Sequence, residues 1–304
     1  MNFKNLVCPN LLKIEGNYLK SLKQENVNYT IFDVPIGNNY IHTLKAEPNI
    51  IKFNIPILLL HGFTGSLVNW KSVIPLLIKS GYIVYAIDIL GWGLSSRPQN
   101  FSNWELLSKL LGKTKNVNDV CDFWVNSIEE WRKKLEIDKI HIVGHSLGGW
   151  IAGEYSLHYP NNIAKVSLVC SVGVYKHDKT WFGDRIGVLG IFMEFTRGLF
   201  GINWPFKLLR FIDFITCKHI FNMFVSENYM TYIRAINSLP PSGEIIAEYI
   251  KLRSDPNDSH VLWDRLDNIN YPIALIYCEC DKTVPGFDSS ILSKVKKSPF
   301  IDIS

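Results

Sequence analysis

The chain has 304 residues, 47% hydrophobic and 20% charged, which supports a sizeable folded core and excludes disordered, low-complexity and fibrous classes. Its 32 basic and 28 acidic residues leave a net charge of +4 spread along the sequence, so no stripe forms that would neutralise phosphates and nucleic acid is not an expected partner. The six cysteines make no C-x-x-C pair and no Cys/His set at zinc spacing, and read as reduced thiols; with no secretory signal and no stretch that reads as a spanning helix, a cytoplasmic location is expected.

Taken in chain order, an N-terminal extension (1–26) holds a predicted helix over 11–23. Residues 27–34 and 40–44 alternate apolar and polar around Pro35-Ile-Gly-Asn-Asn39, the pattern of an antiparallel hairpin. The apolar run 55–60, helical spacing over 67–78 and a β-branched run over 82–89 then read as strand, helix, strand, which implies a parallel crossover. Over 118–135 the residues Val120, Trp124, Ile128, Trp131 and Leu135 share one face, with Glu129 and Glu130 four residues before Lys133 and Lys134, so an amphipathic helix is predicted. A short strand (139–144), a helix (147–158) stopped before Pro160, and a strand over 163–174 complete the first part of the core, 27–174. Roughly ninety residues then pass before the strand at 272–278, too many for an ordinary connection, so 175–266 is predicted to be an inserted helical cap, rich in aromatic residues between Trp181 and Phe224. The second part of the core, 267–304, carries a predicted helix over 289–296 and a last strand over 299–303.

Gly144-His-Ser-Leu-Gly148 matches G-x-S-x-G between a buried strand and a helix, the context of a nucleophile elbow in an α/β-hydrolase fold: a mostly parallel central sheet with helices on both faces. Ser146 is then the candidate nucleophile, with Gly144 and Gly148 leaving room around it and His145 beside it on the turn. A tetrahedral intermediate needs two backbone donors, and the candidates are the N–H of Leu147 and that of Phe63 in His61-Gly62-Phe63-Thr64-Gly65. Asp281, after the strand at 272–278, is the candidate acid, with Glu279 and Asp288 as neighbouring alternatives, while Asp88 is expected to tie down the loop that follows it. A base is not found, because no histidine follows Asp281; His141 lies in a strand, and His177 and His260 only border the cap. Nothing calls for a metal or a nucleotide cofactor.

Leu59-Leu-His-Gly-Phe63, Gly91-Trp-Gly-Leu-Ser-Ser-Arg-Pro98, Ser127-Ile-Glu-Glu-Trp-Arg132, Gly144-His-Ser-Leu-Gly-Gly149 and Pro241-Ser-Gly-Glu244 together resemble the α/β-hydrolase-domain lipid acylhydrolases and acyltransferases. The resemblance implies a serine carboxylic-ester hydrolase acting on acyl chains of lipids or lysophospholipids. It also implies that the base, in a Gly-His motif after the last strand, falls beyond Ser304. The family's H-x-x-x-x-D acyltransferase motif has no counterpart among these residues. The cap is expected to fill its own core with most of its aromatics while offering some apolar surface to a membrane or lipid droplet. Two other readings are a catalytically silent lipid- or partner-binding homologue and an esterase for small soluble esters.

Overall fold

The computed structural model describes residues 10–25, 27–98, 117–174, 227–237, 239, 242–243, 262–265, 269, 271–277 and 301–303. Within them, eight strands make a sheet: β1 (Asn28–Ile36), β2 (Asn39–Glu47), β3 (Phe53–Leu60), β4 (Tyr82–Ile87), β5 (Ile140–His145), β6 (Ile163–Val169), β7 (Ile273–Ile276) and β8 (Ile301–Ile303), ordered β1-β2-β4-β3-β5-β6-β7-β8. The hairpin β1–β2 and its junction with β4 are antiparallel, and every later neighbour is parallel. The described helices are α1 (Asn10–Gln24), α2 (Ile74–Ser80), α3 (Val117–Lys134), α4 (Leu147–His158), α5 (Glu227–Asn237) and α6 (Leu262–Arg265).

Alternation along the central strands sorts the core into two layers. Leu58, Leu60, Tyr85 and Ile87 pack with Trp124, Ile128 and Trp131 of α3 and Ile151 and Tyr155 of α4. Ile57, Leu59, Val84 and Ala86 point the other way, against Leu11, Leu19 and Leu22 of α1, Ile74 of α2, and Tyr232 and Ile236 of α5. The N-terminal helix is therefore part of the second layer, and the 11, 15, 19, 22 spacing puts Glu15 in the middle of its buried stripe.

The Ser-Ile-Glu-Glu-Trp-Arg segment clips the first layer together. Glu129 receives Arg132 Nε at 2.9 Å and Nη2 at 2.8 Å, and the hydroxyl of Tyr155 in α4 donates to the same carboxylate at 2.8 Å. Burial works against the Glu129 charge, but these donors outweigh it and hold its carboxyl down at about 2. Trp131 Nε1 donates across to Thr43 Oγ1 of β2 at 3.0 Å.

Four expectations need correction. The hairpin loop is Gly37-Asn38, because pairing continues through Pro35↔Tyr40 to Ile36↔Asn39; Pro35 is tolerated since β1 is the sheet's edge strand. The helix expected over 67–78 is instead a 3-10 turn, Leu67–Trp70, capped by Ser66, followed by α2 with a proline in its first turn. The strands expected to reach 89 and 174 stop at Ile87 and Val169; the second ends where Cys170 takes a left-handed φ of +44°. The aromatic run 181–224, the helix over 289–296, Asp281, Glu279, Asp288, His177, His260 and four of the six cysteines lie outside the described residues. Among the described residues no helix is long and apolar enough to cross a membrane.

Candidate active site

Ser146 sits where β5 turns into α4, at φ +54° and ψ −115°, a conformation a side chain adopts only when its surroundings enforce it. Four contacts enforce it: the Ser146 N–H donates to Val169 O at 2.9 Å, and its carbonyl accepts from Gly149 N at 3.0 Å, Trp150 N at 3.2 Å and Val172 N at 3.3 Å. A Cβ on Gly144 would lie 2.1 Å from Gly148 O, and one on Gly148 would lie 2.4 Å from His61 O, so both glycines are sterically required. The elbow therefore forms as the motif predicts. His145 is exposed beside it.

The turn after β3 passes directly across. A Cβ on Gly62 would come within 3.1 Å of Ser146 Cβ and 3.0 Å of His145 Nδ1. Gly65 N–H closes this turn on Gly62 O at 3.0 Å, leaving Phe63 and Thr64 at its centre. Thr64 has φ +59°, which costs a β-branched residue roughly 1–2 kcal/mol. Among the described residues neither the Phe63 N–H nor the Leu147 N–H donates a hydrogen bond, so two open donors lie close to Ser146.

His61 fastens this turn from behind. Its Nε2 accepts the Ile89 N–H at 3.0 Å, and its Nδ1–H donates to Gly62 O at 2.8 Å, which assigns a neutral tautomer and leaves no ring nitrogen for Ser146. Complete burial pushes the imidazole down to about 4. Asp88 plays the tethering part expected of it: its carboxylate accepts Leu67 N–H and Leu94 N–H, both at 2.6 Å. Burial raises that carboxyl to about 7, against the opposing pull of the nearby His42 charge.

The structure brings together Ser146, Leu147, Phe63, His61, Gly62, Gly144, His145 and Gly148, while Asp281 lies outside the described residues. No described histidine is hydrogen-bonded to Ser146. Two neighbours lie in motifs that gave them no role, Thr64 and Trp92, whose ring packs edge-on to Phe63 at 5.0 Å; a third, Asn237 of α5, which donates to Thr64 O at 2.9 Å, lies in no motif. Cys121, Glu154 and His158 gather possible metal-ligand atoms within 4.8 Å, but Glu154 already holds Arg265 Nη1 at 2.8 Å and His158 Nδ1 bonds Glu154 O. Its α4 members Glu154 and His158 lie eight or more residues along that helix from Ser146, roughly 12 Å away, and the cluster is separate from the elbow.

A strand-to-helix serine elbow, a facing turn with an open amide, and strand order 1-2-4-3-5-6-7-8 define the class: this is an α/β-hydrolase-fold protein. A family profile described as alpha/beta hydrolase fold matches residues 55–186. More narrowly, the chain is similar to lipid acyltransferase/hydrolase-like relatives. It is 41% identical over 221 residues to the 1-acylglycerol-3-phosphate O-acyltransferase ABHD5 of Sus scrofa (69% of this chain, 59% of that one). It is 28% identical over 302 residues to the abhydrolase domain-containing protein abhd-5.2 of Caenorhabditis elegans (93% of this chain, 60% of that one). The matched region thus spans 60% or less of both relatives. Among solved structures, Cfl2 of Burkholderia cenocepacia superposes with a TM-score of 0.64 at 15% identity, covering 90% of this chain and 87% of its own. The 2-hydroxy-6-oxo-6-phenylhexa-2,4-dienoate hydrolase of Rhodococcus sp. strain RHA1 does so at 0.60 and 18%, covering 91% and 90%; both show the shared fold.

Proposed function

We propose that the protein is a serine acyl hydrolase or acyltransferase acting on the ester bond of an acyl lipid or lysophospholipid. The observation that supports this best is the juxtaposition of the strained Ser146 with the open N–H groups of Phe63 and Leu147. Ser146 Oγ attacks the acyl carbonyl, the developing oxyanion is held by the two amides, and collapse expels the alcohol to leave an acyl-serine. Water then releases the acid, or a second alcohol accepts the acyl group. Asp281 orients the histidine that takes and returns the proton, in the position the family resemblance assigns, C-terminal to Asp281. The lipid substrate class rests on the similarity to relatives named as 1-acylglycerol-3-phosphate O-acyltransferases, and with it goes contact of the cap with a membrane or lipid droplet.

Incubation with a fluorophosphonate probe is expected to label the protein covalently, and Ser146→Ala is expected to abolish labelling; labelling that survives the substitution removes Ser146 from the reaction. Lysophospholipid and short-chain ester assays on the labelled-competent protein separate a lipid enzyme from a general esterase. A protein that binds lipid vesicles yet is never labelled is the silent homologue instead.

A further inference from the structure

The side of the oxyanion turn away from Ser146 is held by residues from the far end of the chain. Asn237 closes α5; its side chain is 1% exposed and both of its amide hydrogens are used, one on Ile233 O at 2.9 Å within its own helix and one on Thr64 O at 2.9 Å. Thr64 is the residue the turn forces into the left-handed region, at φ +59°, where threonine has no preference to be. The carbonyl that Asn237 grips is thus that of the strained residue itself, in the peptide whose Gly65 N–H closes the turn on Gly62 O around Phe63.

A second contact reaches the same turn from its side-chain face. Ser242 and Gly243, a few residues beyond α5, dock on the loop after β4: Gly243 N–H donates to Gly91 O at 3.0 Å and Ser242 Oγ to Pro98 O at 2.7 Å. A Cβ on Gly243 would come within 2.2 Å of Trp92 Nε1, so only glycine permits that approach, and Trp92 is the ring that packs on Phe63. Arg97 of the same loop donates from Nη2 to Ile236 O at 3.1 Å. Ile236, Asn237, Ser242 and Gly243 therefore brace the turn through the Thr64 carbonyl and through the Trp92 ring packed on Phe63.

Resting on the proposed serine chemistry, we propose that Asn237 is a positioning residue, whose bond to the Thr64 carbonyl holds the turn that aims the Phe63 N–H at the oxyanion, so that docking of the cap segment sets the oxyanion hole. Asn237 touches neither nucleophile nor substrate. Its effect is on how well the transition state is held, and it is reported by rate rather than by substrate affinity.

The test uses the whole protein and two readouts: the second-order rate of fluorophosphonate labelling at Ser146, and hydrogen exchange at the Gly65 amide, which closes the turn on Gly62 O. Asn237→Ala and the isosteric Asn237→Asp, which replaces the donor with a carboxylate facing Thr64 O, are expected to slow labelling about tenfold to a hundredfold, with KM for an ester substrate little changed. Both should speed exchange at Gly65. Adding Thr64→Gly, which makes a positive φ inexpensive, is expected to restore most of the labelling rate of Asn237→Ala; a residue that merely stabilised α5 would not be rescued in that way. Labelling within twofold of the unsubstituted protein together with unchanged Gly65 exchange, or no rescue by Thr64→Gly, overturns the inference. Should the unsubstituted protein fail to label, it is the serine chemistry that falls, and Gly65 exchange alone still decides whether Asn237 holds the turn; if either variant does not fold, the other and the double substitution carry the comparison.

Discussion

A neutral imidazole holds two loops at once in His61, accepting the Ile89 amide on one nitrogen and donating to Gly62 O from the other. Because its folded pKa, about 4, lies below the ordinary value of 6.5, the stability it supplies is fully present above pH 6.5 and is lost as the pH falls towards 4. Urea denaturation at pH 7 and pH 4.5 should therefore show a lower midpoint at the lower pH, and His61→Ala should flatten that difference. The same variant leaves the Ile89 N–H buried without an acceptor, so a loss of about 1–3 kcal/mol at pH 7 is expected. His61 also shows how much a motif reveals. Its place beside the serine elbow was legible, because Leu59-Leu-His-Gly-Phe63 ends an unmistakable apolar strand. The bond to the Ile89 amide was not, since that amide belongs to a loop 28 residues away whose course no local pattern dictates.

At the scale of elements, the two layers are fastened by different chemistry. Helices α3 and α4 are joined through Glu129, Arg132 and Tyr155, and Glu129→Gln leaves the guanidinium without its charge partner. A loss of about 2–4 kcal/mol, read as a lower Tm, is expected while labelling of Ser146 is retained at temperatures where the protein is folded. On the opposite face, His42 bridges Asp33 at 2.7 Å and Glu15 of α1 at 3.0 Å, and Tyr232 of α5 donates to the other oxygen of Glu15 at 2.8 Å. Burial alone would depress the His42 pKa, but the bonds to Asp33 and Glu15, with the Asp88 charge nearby, raise it to about 10. A raised folded pKa stabilises below the unfolded value and ceases to do so above the folded one, so this part of the stability is complete below about pH 6.5 and gone by about pH 10. Denaturation midpoints followed from pH 6.5 to 10 should fall, and Glu15→Gln should lessen the fall. The sequence announced α1 as a helix but not as a partner of the sheet: a glutamate inside its apolar stripe makes it read as polar, and only the histidine beneath explains that glutamate.

For the molecule as a whole, what could be read in advance was whatever repeats at short range. Continuous apolar runs marked the parallel strands, the change to helical spacing marked the crossovers, and G-x-S-x-G fixed the elbow. The misread boundaries fall where a single residue's tertiary surroundings decide: Pro35 on an edge strand, Pro75 splitting a predicted helix, Cys170 turning left-handed. The bracing of the oxyanion turn had no local trace at all, because Asn237 and Thr64 lie 173 residues apart.

That separation also orders events in time. A chain growing from its N-terminus lays down β3, the turn, β5 and Ser146 long before residue 237 exists, so the strands up to β6 and the elbow can assemble while the turn is still unbraced. Assembly then has two stages, a first that packs β3, β4 and β5 with α3 and α4, and a later one in which α5 joins the second layer and its last residue, Asn237, reaches the turn. On refolding from urea, far-UV circular dichroism is expected to recover first and fluorophosphonate reactivity to lag behind it, and Asn237→Ala should recover the first signal at the normal rate without regaining the second in full. If Ser146 is the nucleophile proposed above, its reactivity is in this way withheld until the segment that braces the turn is in place.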